Sequence, residues 1–346
     1  MAAKKTSKNL NRRKTYYKAY LDFHGVRVRI TSHLRTVIAD LEHDFAYFKS
    51  EKTAQGGFRL SLHAETDLKV QWRRMVRGPR SELFFAPAGE QRIRFFARAW
   101  VSYRFAKNEC DVYCDDPAIA YETVYLVLLS FVGETLDRRG LHRIHALGVN
   151  IASHGALLLG PSGTGKSTLA IRLLAAKTAK LLSDDTPLIG KAAQMAAFPQ
   201  RIALRETPPV AAKFVRKFKR VEYGEKFVVG AKYFANQIAD TSDVKWLMIA
   251  KRDGSETSHF EPVPRRHLAW PLVKWLVLGL ETPQVWELML RPSPRDALAK
   301  CKILGRRVRA GISLLKRCET GVFHLSSDPA EASRVFNATF GPEIQR

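Results

Sequence analysis

Apolar and polar positions along the chain follow first the period of a strand and then that of a helix. In Asp22-Phe-His-Gly-Val-Arg-Val-Arg-Ile30, Val26, Val28 and Ile30 alternate with Arg27 and Arg29, which predicts a half-buried strand. Residues 33–50 change to helical spacing, with Leu34, Val37, Ile38 and Leu41 on one face. Phe58–His63, Leu83–Phe85 and Arg92–Tyr103 read as extended again, so a small α+β lobe is expected over residues 21–115. Asp116-Pro117 places a capping acid before a proline at the first helical position, where its missing N–H costs nothing. Apolar periodicity then runs from Ala118 to Asp137, and Gly140 closes the helix.

Two extended runs follow, Arg143–Ile151 and Ala156–Leu159, on either side of a turn at Ala152-Ser-His-Gly155. Centred there, cross-strand positions sum to about 307, which sets His145 level with Ser162 to within about two places. Thr168–Ala176 reads as a helix, Ala179–Leu182 as a short buried strand, and Trp246–Ala250 as the clearest strand before Phe260. The remainder is expected to be mainly helical. Its apolar run Leu268–Leu280 is interrupted by Pro271, Lys274 and Gly279 and falls short of the ~20 residues that cross a bilayer, so a buried helix is expected there.

Composition narrows the class. A chain of 346 residues exceeds the roughly 250–300 that one hydrophobic core supports, and a hydrophobic share of 46% excludes a disordered chain. Lys+Arg number 57 and Asp+Glu 33, giving a net charge of +24, which would steer nucleic acid, acidic membrane or anionic substrate alike. Four cysteines (Cys110, Cys114, Cys301, Cys318) are too few for a disulfide framework, and the Cys110/Cys114 spacing suits neither zinc nor a redox pair. Residues 1–20 hold seven Lys/Arg, no acid and no apolar run, which reads as a solvated basic tail, with an organelle transit peptide as the alternative. No transmembrane segment is expected, and cytoplasmic placement is.

The chemistry concentrates in Gly160-Pro161-Ser162-Gly163-Thr164-Gly165-Lys166-Ser167, which satisfies G-x-x-x-x-G-K-[ST] between a predicted strand and a helix that opens at Thr168. Such a loop curls its N–H groups around phosphates, with Lys166 on the β- and γ-phosphates and Ser167 on magnesium. A metal-bound nucleotide also needs a carboxylate at a neighbouring strand end, and Leu181-Leu-Ser-Asp184-Asp185 offers two. Adjacent residues of a strand face opposite ways, so one acid is expected at the metal and the other at the acceptor or backbone. His145 is a candidate for proton transfer or anion contact beside this pocket, or else a packing residue.

The order of these parts resembles the HPr serine kinase family, through His145, Gly160–Thr168, Ser183-Asp184-Asp185 and Phe198-Pro199. The likeness covers about residues 141–205. It implies an α/β P-loop nucleotide-binding core with a mixed sheet, a small α+β lobe before it and basic helices after it. The implied division is a tail over 1–20, a lobe over 21–115, a P-loop kinase core over 116–262 and a basic helical region over 263–346. It further implies ATP and Mg2+ as cofactors, nucleotide binding by Gly160–Thr168, and catalysis by Asp184 as base with His145 and Lys166. Ser167 and Asp185 then hold the metal, although the two aspartates could exchange roles. Two departures stand out. Thr168 replaces the family's glutamate, and no Arg-Gly-rich signature of phosphorolysis appears near Leu204-Arg-Glu-Thr207, so neither phosphorolysis nor HPr as acceptor follows.

Basic segments bear on partners. Lys213–Arg220 carries five cations in eight residues and reads as a loop that docks an acidic peptide, grips nucleic acid or is merely solvated. Arg291–Arg317 holds nine Lys/Arg and one acid, Asp296. Lys226 and Lys232 are further cations within possible reach of the triphosphate. The favoured expectation is a kinase acting on an acidic or hydroxyl-bearing protein, peptide or small molecule. A nucleic-acid-stimulated ATPase and a nucleotide-binding scaffold without transfer are the alternatives, and homo-oligomerisation stays open.

Overall fold

The alternation at Val26, Val28 and Ile30 is realised as the strand Val26–Ser32, its apolar side inward. It pairs with Tyr17–Phe23 across a tight turn in which His24 and Gly25 both take positive φ. The structure, a computed structural model, describes residues 15–51, 57–64, 73–78, 81–86, 89–220, 224–289, 291 and 293–341. Residues 1–14 of the expected tail lie outside these. The strand Tyr17–Phe23 starts within the segment read as tail, because Ala19, Leu21 and Phe23 bury themselves one position in two despite the lysines around them.

Among the described residues the architecture is mixed α/β, with seven α-helices and three sheets. The N-terminal sheet runs in the order Tyr17–Phe23, Val26–Ser32, Phe58–His63, Glu109–Tyr113, Ala99–Arg104, Glu90–Phe95, Ser81–Phe84, Arg74–Arg77. The extended run expected at Arg92–Tyr103 is a hairpin, broken where Phe96 and Ala97 adopt positive φ. Helix Arg35–Asp44 is shorter than its predicted span and ends in a 3-10 turn at Ala46–Phe48.

Helix Pro117–Arg139 obeys its sequence signals. Asp116 Oδ1 accepts the N–H of Ala118 at 2.9 Å and of Ile119 at 3.1 Å, and Gly140 at φ +85° closes the other end. By length and composition this helix is apolar enough to cross a membrane, a property not read from the sequence, yet most of it is buried within the protein. Its Val124, Leu128 and Val132 share one core with Phe58, Leu60 and Val112 of the N-terminal sheet and with Phe198 from the second lobe.

The second sheet places Lys180–Ser183, Ala146–Ile151, His154–Leu159 and Thr241–Lys251 side by side, continuing through Gln194–Ala196 and Leu188–Ile189 to His142–Arg143. His154–Leu159 is parallel to Thr241–Lys251, which is parallel to Glu319–His324. Both faces are covered, as parallel strands require. Leu158, Met248 and Ala250 pack toward helices Lys166–Ala175 and Pro329–Phe340, and Leu157, Leu159 and Leu247 toward Trp275, Leu276 and helix Pro294–Arg317.

The hairpin turn is two residues, Ala152 and Ser153, both at positive φ, so Ala146 pairs with Leu159 and His145 stands level with Gly160, within the two places expected around Ser162. Two expectations change here. The C-terminal region is not only helical, since Glu319–His324 is a sheet strand whose six residues carry little periodic signal. Leu268–Leu280 is helical only in part and buried on one side, with Leu272, Trp275 and Leu276 inside and Trp270, Leu278 and Leu280 exposed.

Lys213–Arg220, expected as a loop, mostly forms the strand Val215–Arg220 of a third sheet with Ile202–Leu204 and Gly224–Val229. Arg216 is not offered to a partner: it pairs with Asp40 and, at 2.7 Å, with Asp44. Asp44 is fully buried and also accepts from Arg201 Nη1 at 2.5 Å and from the Tyr121 hydroxyl. Burial alone would raise the Asp44 pKa, but Arg201, His43, Arg216 and Tyr121 together hold it down at about 2. This network ties both N-terminal helices to the third sheet, and the strand Ile202–Leu204 that leaves Arg201 leads to the site.

Removing one partner from such a cluster strands the rest in a dry interior. Asp44→Ala should lower unfolding stability by about 3–5 kcal/mol in a denaturant titration, against under about 1 kcal/mol for exposed Asp243→Ala.

Candidate functional site

The glycine loop leaves the carboxyl end of a strand locked on both sides, and its shape follows from that. Gly163 and Gly165 take φ of +92° and +102°, conformations that a side chain at either place would strain. Lys166 and Ser167 then open helix Lys166–Ala175, bringing the helix N-terminus onto the loop. Lys166 is buried, and its Nζ donates to the Gly160 carbonyl at 2.5 Å and the Pro161 carbonyl at 3.0 Å. Burial depresses its pKa, while Asp185, Asp184 and Glu281 oppose that shift.

The acid pair lies where the strand Lys180–Ser183 ends, and the backbone pins it. Ala146 N–H donates to the Asp185 carbonyl at 3.3 Å, and Ser183 Oγ both donates to the Phe198 carbonyl at 2.8 Å and accepts from Thr186 N–H at 3.1 Å. The aspartates then part. Asp184 turns inward with its Oδ1 buried and unpartnered, near enough to the Ser167 hydroxyl for that group to oppose the rise of its pKa. Burial, reinforced by the charge of Asp185, pushes the Asp184 pKa up to about 7. Asp185 turns outward, its side chain 58% exposed.

His145 stands between two carboxylates. Its Nδ1 lies 3.6 Å from Asp185 Oδ1 and its Nε2 3.7 Å from Glu281 Oε2, and both ring nitrogens are buried without a hydrogen bond. Burial lowers its pKa, with Lys166 adding to the shift and Asp185 and Glu281 opposing it, which favours the neutral imidazole. His142, by contrast, is fixed by Asp137 at 2.8 Å, away from the loop.

These groups border a cleft of about 330 Å³. Its lining includes the loop from Ser162 to Thr168, His145 and Asp185, with Lys166, Arg205, Lys226 and Arg252 as cations against the carboxylates of Asp185 and Glu206. The positive excess suits a polyanion, and Leu325, Pro329 and Ala332 form an apolar wall. Lys226, weighed from sequence, borders the cleft, whereas Lys232 does not.

Sequence reasoning missed Arg205, Glu206, Arg252 and Glu281. Arg205 and Glu206 belong to the stretch set aside for lacking an Arg-Gly signature, yet both border the cleft. Glu281 carried one signal, an acid flanked by Gly279 and Pro283 in a region dominated by cations. Among the described residues no group of three or more His, Cys, Asp or Glu has metal-holding geometry. The Ser167–Asp184 pair, with its orphaned oxygen, nonetheless fits a hard cation that arrives with phosphate oxygens as its other ligands.

No protein-family profile matches this chain, and no curated protein does. Among solved structures, the chain is similar to the Hpr(Ser) kinase/phosphatase from Coxiella burnetii at 15% identity and a TM-score of 0.21, over 49% of this chain and 97% of that one.

Because its pKa is raised on folding, Asp184 favours the fold when protonated, and its ionisation opposes the fold as pH rises toward about 7. Asp184→Asn should therefore melt several degrees above wild type at pH 8. The gap should narrow as pH falls through 7 toward 4, followed by differential scanning fluorimetry.

Proposed function

We propose that this chain is an ATP-dependent phosphotransferase that moves a γ-phosphate to the hydroxyl of a protein, peptide or small-molecule acceptor. The observation that carries the reading is convergence: Lys166, Ser167, Asp185 and His145 border one cationic cleft, with Asp184 buried near Ser167. Each half alone has a purely structural explanation. Together they supply a phosphate cradle, a metal position and a base beside an opening for the acceptor.

Of the two divisions of labour that the sequence leaves open for the aspartates, we favour the exchanged one. Asp184 is buried against Ser167, which suits a metal ligand and leaves no room for an acceptor hydroxyl. Asp185 opens to the cleft, which suits the base. Ser167 and Asp184 would hold Mg2+, which when bound neutralises charge on the β- and γ-phosphates. Lys166 gives up its contacts with the loop carbonyls to meet the same oxygens. Asp185 takes the acceptor's proton as the acceptor oxygen bonds to the γ-phosphorus and the bond to the β-bridging oxygen breaks, releasing ADP. His145, at 3.6 Å, orients that carboxylate.

The cations Arg205, Lys226 and Arg252 around the mouth favour an acidic acceptor segment. The net charge of +24 supports a second reading, a nucleic-acid-stimulated ATPase, whose turnover would rise with RNA or DNA and fall steeply with salt.

Incubation of γ-labelled ATP and a cell extract with wild type, Lys166→Ala, Asp184→Asn and Asp185→Asn tests the assignment. Label should appear on a discrete acceptor with wild type only, and Asp185→Asn should lose on the order of 100-fold in transfer rate while its ATP affinity stays within about threefold. Equal labelling by all four proteins would remove these residues from the reaction.

A further inference from the structure

One acid that touches the loop has no part in the scheme above. Glu281 follows the π-helical segment Val273–Val277 at φ +64°, a left-handed conformation that a glutamate seldom takes unless its surroundings impose it. The surroundings are specific. Oε2 accepts the Ser162 N–H at 2.8 Å and lies 3.7 Å from His145 Nε2, while Oε1 accepts the Trp275 indole N–H at 3.1 Å and lies 3.4 Å from Lys274 Nζ. Burial would raise the Glu281 pKa, but the Ser162 N–H, Trp275, His145 and Lys274 outweigh it, so the group is an anion at pH 7.

The contacts of Lys166 identify which end of the loop Glu281 occupies. Lys166 Nζ rests on the carbonyls of Gly160 and Pro161, immediately before Ser162. In loops of this sequence the lysine reaches the β- and γ-phosphates, so Ser162 belongs to the γ end. A γ-phosphate and the Glu281 carboxylate are both anions directed at that end, and one N–H cannot serve both. A diphosphate lacks the γ-phosphate and brings less charge there.

We propose that Glu281 is a positioning residue that exchanges the Ser162 N–H for His145 Nε2 when a γ-phosphate claims that N–H, so that a triphosphate, and not a diphosphate, readies the base. The move is short, since the same oxygen already stands 3.7 Å from Nε2. With Nε2–H donating to Glu281, the Nδ1 lone pair faces Asp185. After transfer Glu281 returns to Ser162, which disfavours the reverse reaction.

This role rests on the transferase reading, and the test separates the two. Affinities of Mg2+ with ADP and with the non-hydrolysable β,γ-imido analogue of ATP are measured by calorimetry on wild type, Glu281→Gln and Glu281→Asp. Without the competing charge, Glu281→Gln should bind the analogue about tenfold tighter and ADP within about twofold, while kcat falls by about tenfold or more. In wild type, 15N signals of the His145 ring should shift with the analogue and not with ADP, and this difference should vanish in Glu281→Gln. Glu281→Asp, which keeps the charge, should retain part of the split. Equal changes for both nucleotides, or equal His145 responses, overturn the proposal and leave the transferase reading standing. Failure of wild type to bind either nucleotide sinks both.

Discussion

The site depends on the strand His154–Leu159 being held in place on both of its edges. Ala146–Ile151 pairs with it on one side and Thr241–Lys251 on the other, and its side chains feed two separate cores. A strand so confined cannot slide or twist to relieve the chain that leaves it, so the glycine loop must turn at a fixed point. The acid pair is referred to the same frame, because Lys180–Ser183 pairs with the other edge of Ala146–Ile151 and Asp185 is pinned to Ala146. Loop amides, lysine and carboxylates are thus positioned by sheet hydrogen bonds, whose geometry is far stiffer than that of surface loops.

Much of this was legible in local pattern. The loop motif, the capped helix after Asp116 and the adjacent acids each carry their signal within a few residues, and the structure bears out the position of those elements. The opposite facing expected of Asp184 and Asp185 is also found, although both lie in the bend just past the strand Lys180–Ser183. Which of the two turns inward was not legible, because strand alternation does not reach the bend. The turn at Ala152-Ser153 left the register open by two places, because neither residue is one that usually marks a positive-φ turn.

What the sequence concealed were long-range pairings. Asp44 and Arg201 are 157 positions apart, and nothing in the neighbourhood of either announces that both will be buried. Glu281 reaches Ser162 across 119 positions. Polar contacts of this kind leave no periodicity, since each is made by a single side chain against a backbone already fixed by apolar packing. The basic strand Val215–Arg220 teaches the same lesson in reverse. Its charge run reads as a docking face, yet Arg216 is spent neutralising Asp40 and Asp44 between the lobes.

The charges around the loop are best understood as one set. Lys166, Asp184, Asp185, His145 and Glu281 lie close enough for each to appear in another's electrostatic surroundings, with Lys166, Asp184 and His145 buried and Asp185 open to the cleft. Burial by itself would neutralise Asp184 and His145, while the charges of Asp185 and Lys166 act on both. A polyphosphate with its metal changes this balance by several charges at once. Glu281 is held by one backbone N–H and by the side chains of Trp275 and Lys274 rather than by the sheet, which is why the proposed exchange is assigned to it and not to the acid pair.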